Sequence, residues 1–151
     1  HLMIRPVKPY IEEFINSGSD IISFHPEADE NPEDIIEIIN KAGIKAGIAI
    51  HPNKNILEFE KLFKNIKQII VMTVVPGFGG QKFMEDQVEK ITDLVNIRKK
   101  NNLDFDISVD GGINNETAKI CIDNGVDILS VGSFLLSQDK NKYSNIISSL
   151  R

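Results

Sequence analysis

Six short apolar runs recur along this chain, each followed by a turn and an amphipathic stretch, and that rhythm limits the fold more than any other feature. The runs lie at 1–4, 20–24, 44–50, 68–74, 105–109 and 127–131. Their centres, such as Ile69-Ile70-Val71-Met72, are continuously apolar instead of alternating, as in strands covered on both faces. Helical periodicity fills the intervals at 10–16, 32–41, 56–63, 84–100, 115–124 and 143–150. Gly18, Gly43 and Gly125 stand shortly before the next strand, where a left-handed residue ends a helix. Asn31-Pro32-Glu33-Asp34 opens one helix with a capping residue, a first-turn proline and acids near the positive end. Strands and helices in strict alternation predict a parallel α/β sheet with right-handed crossovers. Six strands fit an open doubly wound sheet, whereas a closed barrel needs eight and typically about 250 residues.

Length and composition narrow the class. A chain of 151 residues suits one domain, and 41% hydrophobic with 26% charged residues describes a folded domain with an ordinary core. No apolar run approaches the length of a membrane span, and the first residues are not a signal peptide. The single cysteine, Cys121, cannot form an intrachain disulfide and reads as a buried helical thiol in a reducing compartment, with the cytoplasm as the expected location. Net charge is −5, with both signs interspersed. Lys54, Lys61, Lys64 and Lys67 form the nearest basic cluster, but they fit the wet side of a helix and no aromatic residues interleave with them. Nucleic acid is therefore not expected as a partner, and neither is a membrane.

The chemistry concentrates where strands end. Pro76-Gly77-Phe78-Gly79-Gly80-Gln81-Lys82-Phe83 follows the fourth run, Asp110-Gly111-Gly112-Ile113 the fifth and Gly132-Ser133 the sixth. Glycine turns between strand and helix let backbone N–H groups approach an anion, so three of them predict a pocket for a phosphorylated small molecule. A helix starting near Phe134 would aim its positive end at the same anion. Neither the Gly-x-Gly-x-x-Gly fingerprint nor a P-loop ending in Gly-Lys-Ser/Thr is present, which argues against dinucleotides and ATP. Asp110 reads as a metal ligand, a base or a simple turn former. His1 and Met3 alternate on a strand and so share a face, which makes His1 a candidate metal ligand. His25 suits a pocket rim, a hydrogen-bond partner behind a ligand or an ordinary loop position, and His51 a structural or solvated one. Met3 and Met72 are either core filler or a soft apolar cover over the reacting carbon.

Taken together, His1-Leu2-Met3, Ser23-Phe24-His25-Pro26-Glu27-Ala28, Met72-Thr73-Val74, the whole 76–83 loop, Val109-Asp110-Gly111-Gly112-Ile113 and Val131-Gly132-Ser133 resemble the ribulose-phosphate 3-epimerase family of the pentose phosphate pathway. The 76–83 string is specific to that family, whereas glycine pairs occur throughout phosphate-binding barrels. The resemblance implies a (β/α)₈ barrel, of which residues 1–151 form the C-terminal three quarters of a single domain, strands three to eight. The first two βα units, with a serine and a His-x-Asp-x-Met-Asp-Gly motif, are then expected outside these residues.

The same resemblance implies an epimerase that interconverts D-ribulose 5-phosphate and D-xylulose 5-phosphate through an enediolate. It would use one divalent metal ion (Zn, Fe, Mn or Co) and work as a dimer or hexamer. It implies that His1 and Asp110 are metal ligands, that Asp110 is one of two acid/base carboxylates, and that Met3 and Met72 line the pocket. Gly77, Phe78, Gly79 and Gly80 would form a mobile substrate loop, and Gly111, Gly112, Gly132 and Ser133 the phosphate end. With half the ligands and one acid/base group, this segment is expected to be inactive alone. The competing readings are another ketose-phosphate epimerase of the same superfamily and a non-catalytic phosphate-binding remnant.

Overall fold

The structure, a computed structural model, describes residues 1–150. Five parallel strands form one sheet in chain order: β1 (Ile21–Phe24), β2 (Lys45–Ile50), β3 (Gln68–Met72), β4 (Asp106–Asp110) and β5 (Ile128–Ser130). The order never reverses, so the topological switch point of a doubly wound sheet is absent and the arrangement is that of barrel-type α/β proteins. Helix α1 (Ile11–Asn16) precedes β1, helices α2 (Pro32–Lys41), α3 (Val88–Lys100) and α4 (Asn115–Asp123) lie between strands, and α5 (Ser133–Leu136) and α6 (Tyr143–Ser149) follow β5.

The two faces of the sheet differ. Ile22, Phe24, Ile48, Ile50, Ile69, Val71, Ile107 and Val109 turn toward the helices and join the main core. Burying each of these side chains contributes about 1.5–3 kcal/mol before conformational entropy is counted. α2 meets that core with Ile35, Ile36 and Ile39, one stripe of a 3.6-residue period. The alternate residues face the other way, where Ala49, Ile70 and Met72 make a small cluster that no helix residue joins. Register sets these residues in layers: Gly47 beside Gln68, Ala49 beside Ile70 beside Ser108, and Met72 beside Asp110 beside Ser130. Gly47 is required in its layer, because a Cβ there would lie 2.2 Å from Ser23 Oγ, which donates across it to Gln68 Oε1 at 2.7 Å.

Several expectations need correction. The run at 1–4 is not a strand: Leu2 makes an isolated bridge to Phe24, its N–H donating to Ser23 O at 2.8 Å. Pro6, without an N–H, follows closely and cannot extend such pairing. The expected helix at 56–63 is a 3₁₀ helix, Ile56–Asn65. Its apolar residues Ile56, Phe59 and Leu62 are three apart, which matches a three-residue turn. α3 starts at Val88, later than expected, because Met84 is extended and its N–H donates to Thr73 O at 2.9 Å. β3 stops at Met72, two residues short of the expected end. Asn31 sits at the N-terminus of α2 but its side chain makes no cap bond, whereas Asn55 and Asn114, which the sequence analysis did not single out, cap their helices.

Gly18, Gly43 and Gly125 do take positive φ, at 86°, 78° and 95°. Cys121 is fully buried in α4, and burial pushes its thiol up to about 11. Of the four clustered lysines, Lys54, Lys61 and Lys67 pair with Glu58, Glu33 and Asp104 at the surface. Among the described residues no helix is long and apolar enough to cross a membrane.

Candidate active site

The strands deliver their functional side chains to the edge where they end. Met72 and Asp110 are paired last residues of β3 and β4, and Ser130 closes β5 opposite Asp110. A cavity of about 270 Å³ opens above them. Met3, Met72, Asp110 and all three glycine turns line it, including Gly77, Phe78, Gly79, Gly80, Gly111, Gly112, Gly132 and Ser133. Thus every expected site residue except His1 borders one space. His1 stands behind Asp110, with Nδ1 3.7 Å from Asp110 Oδ2.

Asp110 is held through its backbone. The N–H of Thr73 donates to Asp110 O at 2.9 Å, and the Thr73 hydroxyl donates to Gly111 O at 2.6 Å and Asp110 O at 3.1 Å. Thr73 is fully buried, so this clamp is shielded from water. Burial pushes the Asp110 carboxyl above the usual carboxylate range. His25 is pushed below the usual imidazole range, first by burial and then by the nearby His51, with the Ala49 backbone opposing. The His1 and His25 rings lie 5.1 Å apart, with their Nε2 atoms at 3.2 Å. His51 turns back on its own loop, Nδ1 at 2.6 Å from Asn53 Oδ1. Among the described residues no set of three or more His, Cys, Asp or Glu side chains converges on one point.

The methionines divide the roles expected of both. Met72 is buried under the cavity floor, whereas Met3 is half exposed at its side. The helix after Gly132 is a single turn, α5, so its dipole adds little to anion binding. Sequence reasoning missed Thr73, Gln81 and Ser130 as site residues. Gln81 Nε2 donates to Val75 O at 2.6 Å and Phe78 O at 2.9 Å, which folds the 76–81 loop onto itself. Its place inside the quoted loop string was a signal that it mattered, but nothing in the string says which carbonyls it meets.

Residues 1–136 match the model of the ribulose-phosphate 3 epimerase family. The chain is 38% identical over 143 residues to ribulose-phosphate 3-epimerase of Bacillus subtilis (strain 168), covering 94% of this chain and 66% of that protein. It is also 38% identical over 129 residues to the same enzyme of Rhodospirillum rubrum, covering 85% of this chain and 56% of that one. The solved structure of 3-keto-L-gulonate-6-phosphate decarboxylase from Vibrio cholerae superposes with a TM-score of 0.70 at 16% identity, covering 95% of this chain and 64% of that one, a likeness of fold. The chain spans between 56% and 67% of the length of the curated relatives it matches.

Proposed function

The chain belongs to the ribulose-phosphate 3-epimerase family, and from that premise we propose that the protein containing it interconverts D-ribulose 5-phosphate and D-xylulose 5-phosphate by proton transfer at C3. The observation that carries this reading is convergence. A half-buried carboxylate, two methionines and three glycine turns meet over one strand edge, with an imidazole 3.7 Å behind the carboxylate. In this reading the glycine turns hold the phosphate through backbone N–H groups, and Met3 and Met72 keep water from the reacting carbon.

Asp110 then takes the C3 proton on its own face, the electron pair moving into the C2 carbonyl to give an enediolate. A carboxylic acid on the opposite face returns a proton and inverts the centre, and the two groups exchange roles in the reverse direction. Burial alone pushes this carboxyl upward, whereas a cation bound to it would make it a weaker base, so placement and charge stabilisation would have to supply much of the rate. His1 and Asp110 fit a divalent cation as two of its donors, since an imidazole nitrogen and a carboxylate oxygen 3.7 Å apart can both reach one ion at about 2 Å. When bound, such a cation supplies stabilisation of the negative charge that develops on the C2 oxygen. Zn, Fe, Mn and Co all accept this donor pair.

Asp110 is the one carboxylate among the cavity-lining residues. The second acid/base group and the remaining metal ligands are therefore assigned, still as part of this proposal, to the two βα units that the family places ahead of the segment matching His1. That assignment makes residues 1–151 three quarters of one barrel domain, working in a dimer or hexamer. The same single carboxylate favours, as the second reading, a phosphate-binding remnant without turnover.

A coupled assay for xylulose 5-phosphate separates them. In the full-length protein, Asp110→Asn should lower kcat by about 10²–10⁴-fold while phosphate still binds, and residues 1–151 alone should show no turnover. Turnover of Asp110→Asn at the wild-type rate would remove Asp110 from the mechanism.

A further inference from the structure

Three serines stand on the strands, one each on β1, β4 and β5. Each lies between two residues that pack in the main core, so all three turn away from the helices. Their hydroxyls are treated differently. Ser23 Oγ donates to Gln68 Oε1 at 2.7 Å. Ser108 Oγ has no partner and is shut off from water, beside Ile70 and Ile128. Ser130 also makes no hydrogen bond among the described residues, but it is only partly buried and lines the cavity. Its one donor and its lone pairs are open to whatever enters.

The position of Ser130 narrows what that group can be. It is the register partner of Asp110, on adjacent strands about 4.8 Å apart. Two residues further on, Gly132 opens the turn assigned to the phosphate end. A ketose with C3 at Asp110 and its phosphate at Gly132-Ser133 crosses this interval with C4 and C5. Of those two carbons only C4 carries a free hydroxyl. The other polar side chains lining the cavity are Asp110, Gln81 and Ser133. Asp110 is committed to C3, the Gln81 amide donates to Val75 O and Phe78 O, and Ser133 belongs to the phosphate turn. Met72, on the other side of Asp110, offers only a thioether.

We propose that Ser130 is a specificity-determining residue that hydrogen-bonds the C4 hydroxyl of the ketose phosphate. This rests on the reading of the protein as a 3-epimerase with Asp110 at C3. The bond fixes rotation about C3–C4, so that the C3 hydrogen is turned to the Asp110 carboxylate while the phosphate stays seated. A ketose phosphate lacking the C4 hydroxyl leaves Ser130 unpaired against carbon and is disfavoured for that reason.

Exchange of the C3 hydrogen for deuterium in D₂O, followed by ¹H NMR, reads proton transfer for D-ribulose 5-phosphate and for its 4-deoxy analogue alike. In the full-length protein, with rates taken per folded molecule, Ser130→Ala should lower kcat/KM for ribulose 5-phosphate about 3–10-fold. The same change should leave kcat/KM for the 4-deoxy analogue within about twofold of wild type, because the lost partner is already missing there. Equal losses on the two substrates, or no loss on ribulose 5-phosphate, overturn the C4 assignment and leave the epimerase standing. No C3 exchange by the wild type on either substrate overturns the epimerase reading itself.

Discussion

Two glycine turns border the same cavity and use glycine for opposite reasons. At Gly111-Gly112 the chain is packed from outside: a Cβ on Gly111 would lie 2.4 Å from Val74 Cγ2, and one on Gly112 would lie 2.6 Å from the backbone N of Phe83. At Gly77, Gly79 and Gly80 a Cβ would meet nothing within 4 Å. The first turn needs glycine because other atoms occupy the space. It locks Asp110 against the segment after β3, and the Thr73 clamp ties the same two pieces together. The second turn needs glycine, where it does, only for its own dihedral angles. Its contacts are internal, through Gln81, and Phe78 at its tip is 75% exposed. One turn is therefore built to hold a carboxylate still, and the other to stay open beside it.

The sharpest way to break this comparison is to add a methyl group to each turn. Gly111→Ala and Gly112→Ala should each destabilise by about 3 kcal/mol or more, since overpacking adds to the strain of φ values of +121° and +66°. Thermal or urea unfolding checks this, and near-wild-type stability would show that Val74 and Phe83 move aside. A smaller loss, about 1–3 kcal/mol, is expected for Thr73→Val, which leaves the Gly111 carbonyl without its buried donor.

On the open side, Gly80→Ala should cost about 1 kcal/mol because φ is +77°, whereas Gly79→Ala should fall within about 0.5 kcal/mol of wild type. A large effect at Gly79 would mean the loop is packed after all. The mildest probe is Cys121, on the helix that follows the tight turn. With its thiol buried and pushed up to about 11, alkylation should be slow throughout the pH range below that value, then rise once the chain unfolds. Gly112→Ala should hasten labelling at neutral pH and Gly79→Ala should not, which ties the label to the tight side.

The strand–helix rhythm was legible because continuous apolar runs and a 3.6-residue stripe are local properties, and α2 falls at the expected residues for that reason. Where the reading missed, a distant partner intervened. The 1–4 run looks like a strand, but only Leu2 finds a neighbour. Residues 84–87 look helical, but Met84 is drawn out by a bond to Thr73, and helix proper waits until Val88. The 3₁₀ helix at Ile56–Asn65 was visible in principle, since its three-residue spacing is written in the chain, but it competes with an equally good helical pattern. The glycine turns and Asp110 stood out because of residue type alone. Ser130 did not, since nothing local distinguishes its hydroxyl from a surface one.

By itself the chain determined five of the six segments read as parallel strands and which residue types gather at their ends. These follow from hydrophobic period and backbone freedom, which a residue and its near neighbours settle. Only the tertiary structure decided that Ser130 stands beside Asp110 and His1 behind it, and that one glycine pair is wedged while another is free. Those facts depend on distances between atoms far apart in the chain, and register and packing set such distances, not composition.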